Sequence, residues 1–360
     1  MTIPEIKEIL KSDSYNFLKT NEHLQNNIIL LGLGGSHAYG TNNENSDLDI
    51  RGVTLNKKEE ILTNLNFEQF TNVETDTVIY SFNKIIPLLS NCNPNTIELL
   101  GLKPEHYLYI SPVGQELLDH SSLFLSKKAI QSFGGYATQQ LYRLNQKSSH
   151  TLSQSDLEKH ILKTMVSMKS DFQRKYSAFP DDNINLYIDV SPRPEYNTEI
   201  FMDINLHHYP LRDYASMWNE LQNTVKQYGK IGKRNENALT HNKISKHMMH
   251  LIRLYMMCLD ILEKGQIITY REKEHDLLMD IRNNKYIDKN NQPIPEFFDL
   301  VHEYEKKFDY AKENTFLPDE PDYNRINDFV MDINERVVNG TISQTKINLC
   351  DTLDDIDLDL

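Results

Sequence analysis

The chain has 360 residues, 39% of them hydrophobic and 25% charged, which suits one large domain or two ordinary ones and argues against wholesale disorder. A formal net charge of −14 argues against a general nucleic-acid binder, although a local basic groove is compatible with it. No charge-free apolar run reaches the roughly 18–20 residues that span a bilayer, and Cys92, Cys258 and Cys350 are too far apart for metal-ligand spacing. The expectation is a cytoplasmic protein with reduced thiols and no membrane partner.

The N-terminus, MTIPEIKEILKSD, mixes charge into a helical pattern and lacks an apolar signal core. The spacing predicts a helix over Ile3–Leu18, restarting near Ser14. Ile28, Ile29, Leu30 and Leu31 form the short apolar run of a covered strand. Gly32, Gly34 and Gly35 then permit a sharp turn and close approach to a ligand, and Asn42, Asn43, Asn45 and Ser46 form a polar loop. Asp47-Leu48-Asp49-Ile50 resumes period-two alternation, which predicts both aspartates on one face of a strand, roughly 6.6 Å apart.

Like charges so placed repel unless a cation lies between them. Magnesium takes carboxylate oxygens alongside substrate phosphates, and a pair of such ions clamps an in-line displacement. Gly35-Ser36 offers backbone N–H groups and a hydroxyl to a phosphate. Three rival motifs fail on the residues. A dinucleotide fingerprint needs glycine where His37 stands, and a P-loop needs lysine where Thr41 follows Gly40. A calcium loop from Asp47 would meet Arg51 at its fifth position and Lys58 at its twelfth.

Gly35-Ser36, then ten residues, then Asp47-Leu48-Asp49-Ile50 resembles the signature of the DNA polymerase β nucleotidyltransferase superfamily. The fuller strings Gly35-Ser36-His37-Ala38-Tyr39-Gly40 and Ser46-Asp47-Leu48-Asp49-Ile50-Arg51-Gly52-Val53 resemble its branch of bacterial and phage predicted nucleotidyltransferases, some associated with RNA ligase. The resemblance implies an α+β fold. A nucleotidyltransferase core with a mixed sheet would occupy 1–122, a mostly helical domain 123–345 and an acidic tail 346–360. It implies transfer of a nucleoside monophosphate from a nucleoside triphosphate such as ATP to a hydroxyl acceptor, with release of pyrophosphate. An RNA end, a protein or a small molecule would serve as acceptor. Two Mg2+ ions, with Mn2+ as a substitute, would sit on Asp47, Asp49 and a third carboxylate, and Gly35 and Ser36 would hold phosphate. The alternative on the same fold is a non-catalytic nucleotide-binding or antitoxin-like regulator, and an intact acidic set favours the enzyme.

Phe70–Tyr80, rich in β-branched and aromatic residues, predicts a single strand with Glu74 and Asp76 on one face. Its likeness to the family's pattern favours Asp76 as the third carboxylate, acting as metal ligand or general base. Arg51, two residues past Asp49, either neutralises phosphate or pairs with an acid. A helix over Ser81–Leu89 follows, then an Asn93-Pro94 turn and a helix start where Glu98 suits the dipole, the reading favoured over a supporting place behind the site.

The core is expected to end near Leu118–Phe124, and helical pattern dominates from Ser126, with a helix over about Ser155–Lys175. NINLYIDV and EIFMDINLHHYPL predict a hairpin-like insert near 183–211, on which adjacent His207 and His208 face opposite ways. Between Val225 and His247 lie Lys226, Lys230, Lys233, Arg234, Lys243 and Lys246, either a phosphate-binding stretch or a solvated face. A helix is expected over Lys243–Lys264, ending at Gly265, with His247 and His250 packed rather than metal-binding. Its His250-Leu251-Ile252-Arg253 resembles the family's H-x-x-R element, which implies a nucleotide phosphate contact for Arg253; the plain reading is a structural ion pair. A strand at Ile267–Tyr270, helices at Glu272–Ile281, Pro295–Lys307 and Tyr323–Val338, and an acidic tail at 351–360 complete the pattern.

Overall fold

The structure, a computed structural model, describes residues 1–44, 46–149, 162, 165–166, 184–192, 198–228, 243–289 and 292–342. Six consecutive buried residues make Ile28–Leu33 (β1) an interior strand, as an uninterrupted apolar run requires when both faces are covered. Around it forms a five-stranded sheet in the order β3-β4-β2-β1-β5. The other strands are Ile50–Thr54 (β2), Gln69–Asn72 (β3), Thr77–Ser81 (β4) and Tyr107–Ile110 (β5). Only β2 and β4 run parallel, with Ile50 opposite Thr77 and Arg51 opposite Val78; the remaining pairs are antiparallel, so the sheet is mixed, as expected.

The 70–80 region differs from the single strand expected. Its composition favours strand throughout, but the Asn72 side chain accepts the N–H groups of Glu74 and Thr75 at 3.0 and 3.1 Å, which turns the chain. The result is a β3–β4 hairpin with residues 73–76 as its loop. Asp76 closes that loop at φ 43°, in the left-handed region that aspartate tolerates better than bulkier residues.

The N-terminal helical pattern resolves into Ile3–Ile9 (α1) and Phe17–Thr20 (α2). A single turn, Gly35–Ala38 (α3), follows β1, and Lys58–Leu62 (α4) follows β2. Helix α5 (Phe82–Ser90) starts where the Ser81 hydroxyl accepts the Lys84 N–H at 3.3 Å, and it buries Phe82, Ile85, Ile86 and Leu89 at helical spacing. Asn93 caps Pro94–Ile97 (α6) in the same way, and Pro112–Asp119 (α7) follows β5. Next come Lys128–Ser149 (α8), Leu211–Tyr228 (α9) and Lys243–Leu259 (α10). One π-helical turn, Asp260–Lys264, extends α10 to Gly265, whose φ of 63° is a helix-ending conformation. His275–Arg282 (α11), Pro295–Asn314 (α12) and Tyr323–Val338 (α13) complete the described helices. Ile267–Tyr270 is irregular rather than a strand: its backbone makes isolated bonds, Thr269 N–H to Gly101 O at 3.0 Å among them, and no ladder.

The chain divides into two compact units. One gathers Met1–Gln140, Met249–Lys285 and the described residues from Pro295 onward, so its limits differ from a division at residue 122. Helices α10, α12 and α13 supply the reason, since Leu254, Met257, Cys258, Ala311, Ile326, Phe329 and Ile333 are buried in the same core as β1 and α5. The other unit holds the described residues within Leu141–Met248, with Tyr286–Ile294. It contains the antiparallel pair Ile184–Val190 (β6) and Thr198–Ile204 (β7), within the span 183–211 where the sequence predicts two strands. Most of the helix expected at 155–175, the basic residues Lys230, Lys233 and Arg234, and the acidic tail lie outside the described residues.

Candidate active site

Everything described in this site belongs to the first compact unit. At the end of β1 the chain turns through Gly34 into α3. The Gly34 N–H donates to the Asp49 carbonyl at 2.8 Å, tying this turn to the segment that enters β2. Gly35 has φ +53°, and a Cβ there would collide with the Asp49 carboxylate, so both backbone conformation and space require glycine. Ser36 is half-buried, and among the described residues no partner is found for its hydroxyl; its carbonyl accepts the Thr41 N–H at 2.9 Å. His37 is buried, and burial lowers its pKa, which fits a packed, neutral ring.

The parallel register explains which acids meet. Ile50 and Thr77 are opposite each other, so Asp49 and Asp76, each one residue earlier, stand side by side at the heads of adjacent strands. The Ile50 N–H donates to the Asp76 carbonyl at 3.2 Å, and each of the two carboxyl groups shifts the titration of the other. Glu74, at the exposed tip of the hairpin loop, is not part of this pair. Asp47 and Asp49 precede β2 rather than lying on it: Asp47 is exposed and Asp49 half-buried.

Arg51 spans the pair. Its guanidinium lies 3.1 Å from Asp76 Oδ1 and 3.6 Å from Asp49 Oδ1, and it donates to the Asp76 carbonyl at 2.5 Å. One arginine does not neutralise this many acids. Burial, then Asp76, pushes the Asp49 carboxyl up to about 7, with Asp47 adding a smaller push; Asp76 is held below its ordinary value by Asp49 and by Arg51. Two carboxylates sharing a site behave in this way: one keeps a proton so that the other need not. All these donors are hard oxygens of the kind magnesium prefers. Among the described residues, no group of three or more His, Cys, Asp or Glu side chains is arranged to hold a metal ion.

Arg253, on α10, is buried at 7% exposure. Its guanidinium stacks over the Tyr39 ring at 3.5 Å from the centroid, and one terminal nitrogen lies 3.3 Å from His250 Nδ1. The Tyr39 hydroxyl donates to Glu98 Oε2 at 2.7 Å. Burial pushes the Glu98 carboxyl up against the opposing pull of Arg253, the Tyr39 hydroxyl and Arg51. Glu98 therefore belongs to the surroundings of the acidic pair, where sequence reasoning favoured a helix-dipole role over a supporting place behind the site. Tyr39 stood in the Gly-Ser-His-Ala-Tyr-Gly string but drew no role of its own.

Sequence reasoning also missed the residues that hold the loop in place. Arg282, buried on α11, donates to the Thr41 carbonyl and, at 2.8 Å, to the Ser46 hydroxyl. Ser46 is further fixed to Asn43, so a late helix clamps the segment that presents Asp47 and Asp49. Nothing local in the sequence marks this pairing across more than two hundred residues.

No curated protein and no solved structure matches the chain. No described helix is long and apolar enough to cross a membrane. Residues 10–167 match the model of an RNA repair pathway DNA polymerase beta family, a span that takes in Gly35, Ser36, Asp47, Asp49, Arg51, Asp76 and Glu98. Over that span, less than half of the chain, it is similar to a polymerase β-like nucleotidyltransferase family, a likeness that suggests nucleotidyltransferase activity.

Proposed function

We propose that the protein is a magnesium-dependent nucleotidyltransferase that moves a nucleoside monophosphate from a nucleoside triphosphate to a hydroxyl acceptor. The observation that carries this reading is the meeting of Asp49 and Asp76 at the heads of two parallel strands, beside the glycine turn at Gly35. Such a pair is costly in an empty site, because burial and mutual repulsion keep Asp49 partly protonated near neutral pH. A divalent cation would displace that proton and convert the repulsion into ligation.

Asp49 and Asp76 would hold the metal, and exposed Asp47 would join them from the adjoining segment. Bound magnesium would supply charge neutralisation at the transferring phosphoryl group. Gly35 and Ser36 would bind the triphosphate through backbone N–H groups left free in the first helical turn and through the Ser36 hydroxyl. Arg51 and Arg253 would offset phosphate charge, each as a guanidinium fixed before the substrate arrives. Asp76, the more exposed of the paired acids, would take the proton of the acceptor hydroxyl. As that oxygen bonds to the α-phosphorus, the bond to the β-phosphate oxygen breaks and pyrophosphate leaves.

RNA is the favoured acceptor, because the matching family model is described by an RNA repair pathway. Incubation with each α-labelled triphosphate, magnesium and separate pools of RNA, protein and metabolites tests the reading. Label should enter one pool with the wild type and none with Asp49→Ala; equal transfer by both would refute the site. One observation favours the non-catalytic alternative: Arg51 already bridges Asp49 and Asp76. Triphosphate binding without transfer to any pool would select it.

A further inference from the structure

Arg253 is built unlike the ion-paired arginines Arg271 and Arg336 of this unit. Arg271 is buried and pairs with Asp260, and Arg336 grips Glu116 with both terminal nitrogens at 3.0 and 2.6 Å. Arg253 is also buried, yet no carboxylate lies within ion-pair distance of it among the described residues; its Nε, like those of Arg271 and Arg336, has no hydrogen-bond partner, and a terminal nitrogen meets only the imidazole ring of His250. A guanidinium carries five donors, and burying its charge without a counter-charge is costly.

An acid for it is close at hand. Glu98 is near enough for Arg253 to favour its ionised form, but its carboxylate takes the Tyr39 hydroxyl instead. Tyr39 thus stands between the two, ring face to the guanidinium and hydroxyl to the carboxylate. The tyrosine is itself fixed. Its carbonyl accepts the Arg271 N–H at 3.4 Å, and Gly40 follows at φ +71° with the Tyr270 ring where a Cβ would project. The Glu98 backbone is held too, its carbonyl accepting the Thr269 hydroxyl at 2.7 Å.

We infer that Tyr39 and Glu98 are positioning residues: Tyr39 holds the Arg253 guanidinium by its ring, Glu98 fixes the ring, and the unused donors of Arg253 serve a phosphate oxygen of the nucleoside triphosphate. The inference rests on the nucleotidyltransferase reading above. A direct Glu98–Arg253 ion pair would satisfy the cation and remove it from ligand binding. Interposing the phenol keeps the cation oriented by its quadrupole while leaving its edge open.

The test is calorimetric titration of the full chain with magnesium complexes of the four ribonucleoside triphosphates and with magnesium pyrophosphate. Arg253→Met and Tyr39→Leu should each weaken binding of the preferred triphosphate about tenfold or more, and the double variant should be no weaker than Arg253→Met alone. Tyr39→Phe keeps the ring under the guanidinium but loses the Glu98 bond, so it should weaken binding about as much as Glu98→Ala and clearly less than Tyr39→Leu. Glu98→Ala should weaken binding and Glu98→Gln, which keeps an acceptor for the hydroxyl, should restore it. Wild-type affinity in Tyr39→Leu, equal losses in Tyr39→Phe and Tyr39→Leu, or additive losses in the double variant would each overturn the inference while leaving the acidic site untouched. If the folded wild type binds neither triphosphates nor pyrophosphate, the nucleotidyltransferase reading falls and the inference with it.

Discussion

The two ends of the five-stranded sheet treat acidic residues in opposite ways. Where β2 runs out toward α4, Glu60 and Glu22 each have partners of their own. Glu60 receives His23 at 2.7 Å, the Asn56 amide at 3.3 Å and the Lys57 N–H at 3.0 Å, and Glu22 pairs with Lys57 at 3.0 Å. Its lysine holds the Glu22 carboxyl below the ordinary range. Where β2 and β4 begin, Asp49 and Asp76 face each other, a single arginine serves both, and Asp49 is pushed up. Satisfied acids tie the chain together; crowded ones tolerated at the head of a sheet point to a charge that arrives from outside.

The largest effect should come from the crowded end. Asp49→Asn should lower label transfer by about 10³-fold or more, the scale of losing a preorganised charge-stabilising group, with the fold retained by circular dichroism. Arg282→Met comes next. It strips the Thr41 carbonyl and the Ser46 hydroxyl of their donor and should cost roughly 2–4 kcal/mol in chemical denaturation, with transfer falling because the Asp47–Asp49 segment loosens.

A pH series in metal-free buffer follows. Because the folded-state carboxyl of Asp49 lies above its unfolded value, its contribution is fully present below about pH 4 and is lost as pH rises through about 7. Wild-type stability should therefore fall across that window relative to Asp49→Asn, by on the order of 1–3 kcal/mol after discounting for solvent screening. The lowered carboxyl of Asp76 acts in the opposite sense, but only below its ordinary range. The smallest effects belong to the paired end. Glu60→Gln should cost about 1 kcal/mol of stability and leave transfer within twofold of wild type, and Glu22→Gln should change neither measurably. A large loss of transfer in Glu60→Gln would erase the contrast between the two ends.

That contrast was partly legible in the residues. The apolar run at Ile28–Leu31, the glycine turn and the two aspartates pointed to the candidate site, and the helices at Tyr323–Val338 and Lys243–Leu259 followed their spacing. The hairpin at 69–81 was not legible from propensity, since a single Asn72 side chain outweighs a run of β-branched residues. Nor was the setting of Glu98, Tyr39 and Arg253, or the clamp from Arg282, which exist only once distant helices fold back on the sheet. Local pattern carries strand, helix and turn; it carries no record of which late arginine meets which early loop.

The most direct measurement is Mn2+ or Mg2+ binding near pH 7, by calorimetry in two buffers of different ionisation enthalpy, for wild type and Asp49→Asn. The expected result is wild-type binding that releases about half a proton, because the Asp49 carboxyl stands near 7, and neither binding nor release in the variant. Equal metal affinity in both proteins, or wild-type binding with no proton released, would contradict a cation site between Asp49 and Asp76.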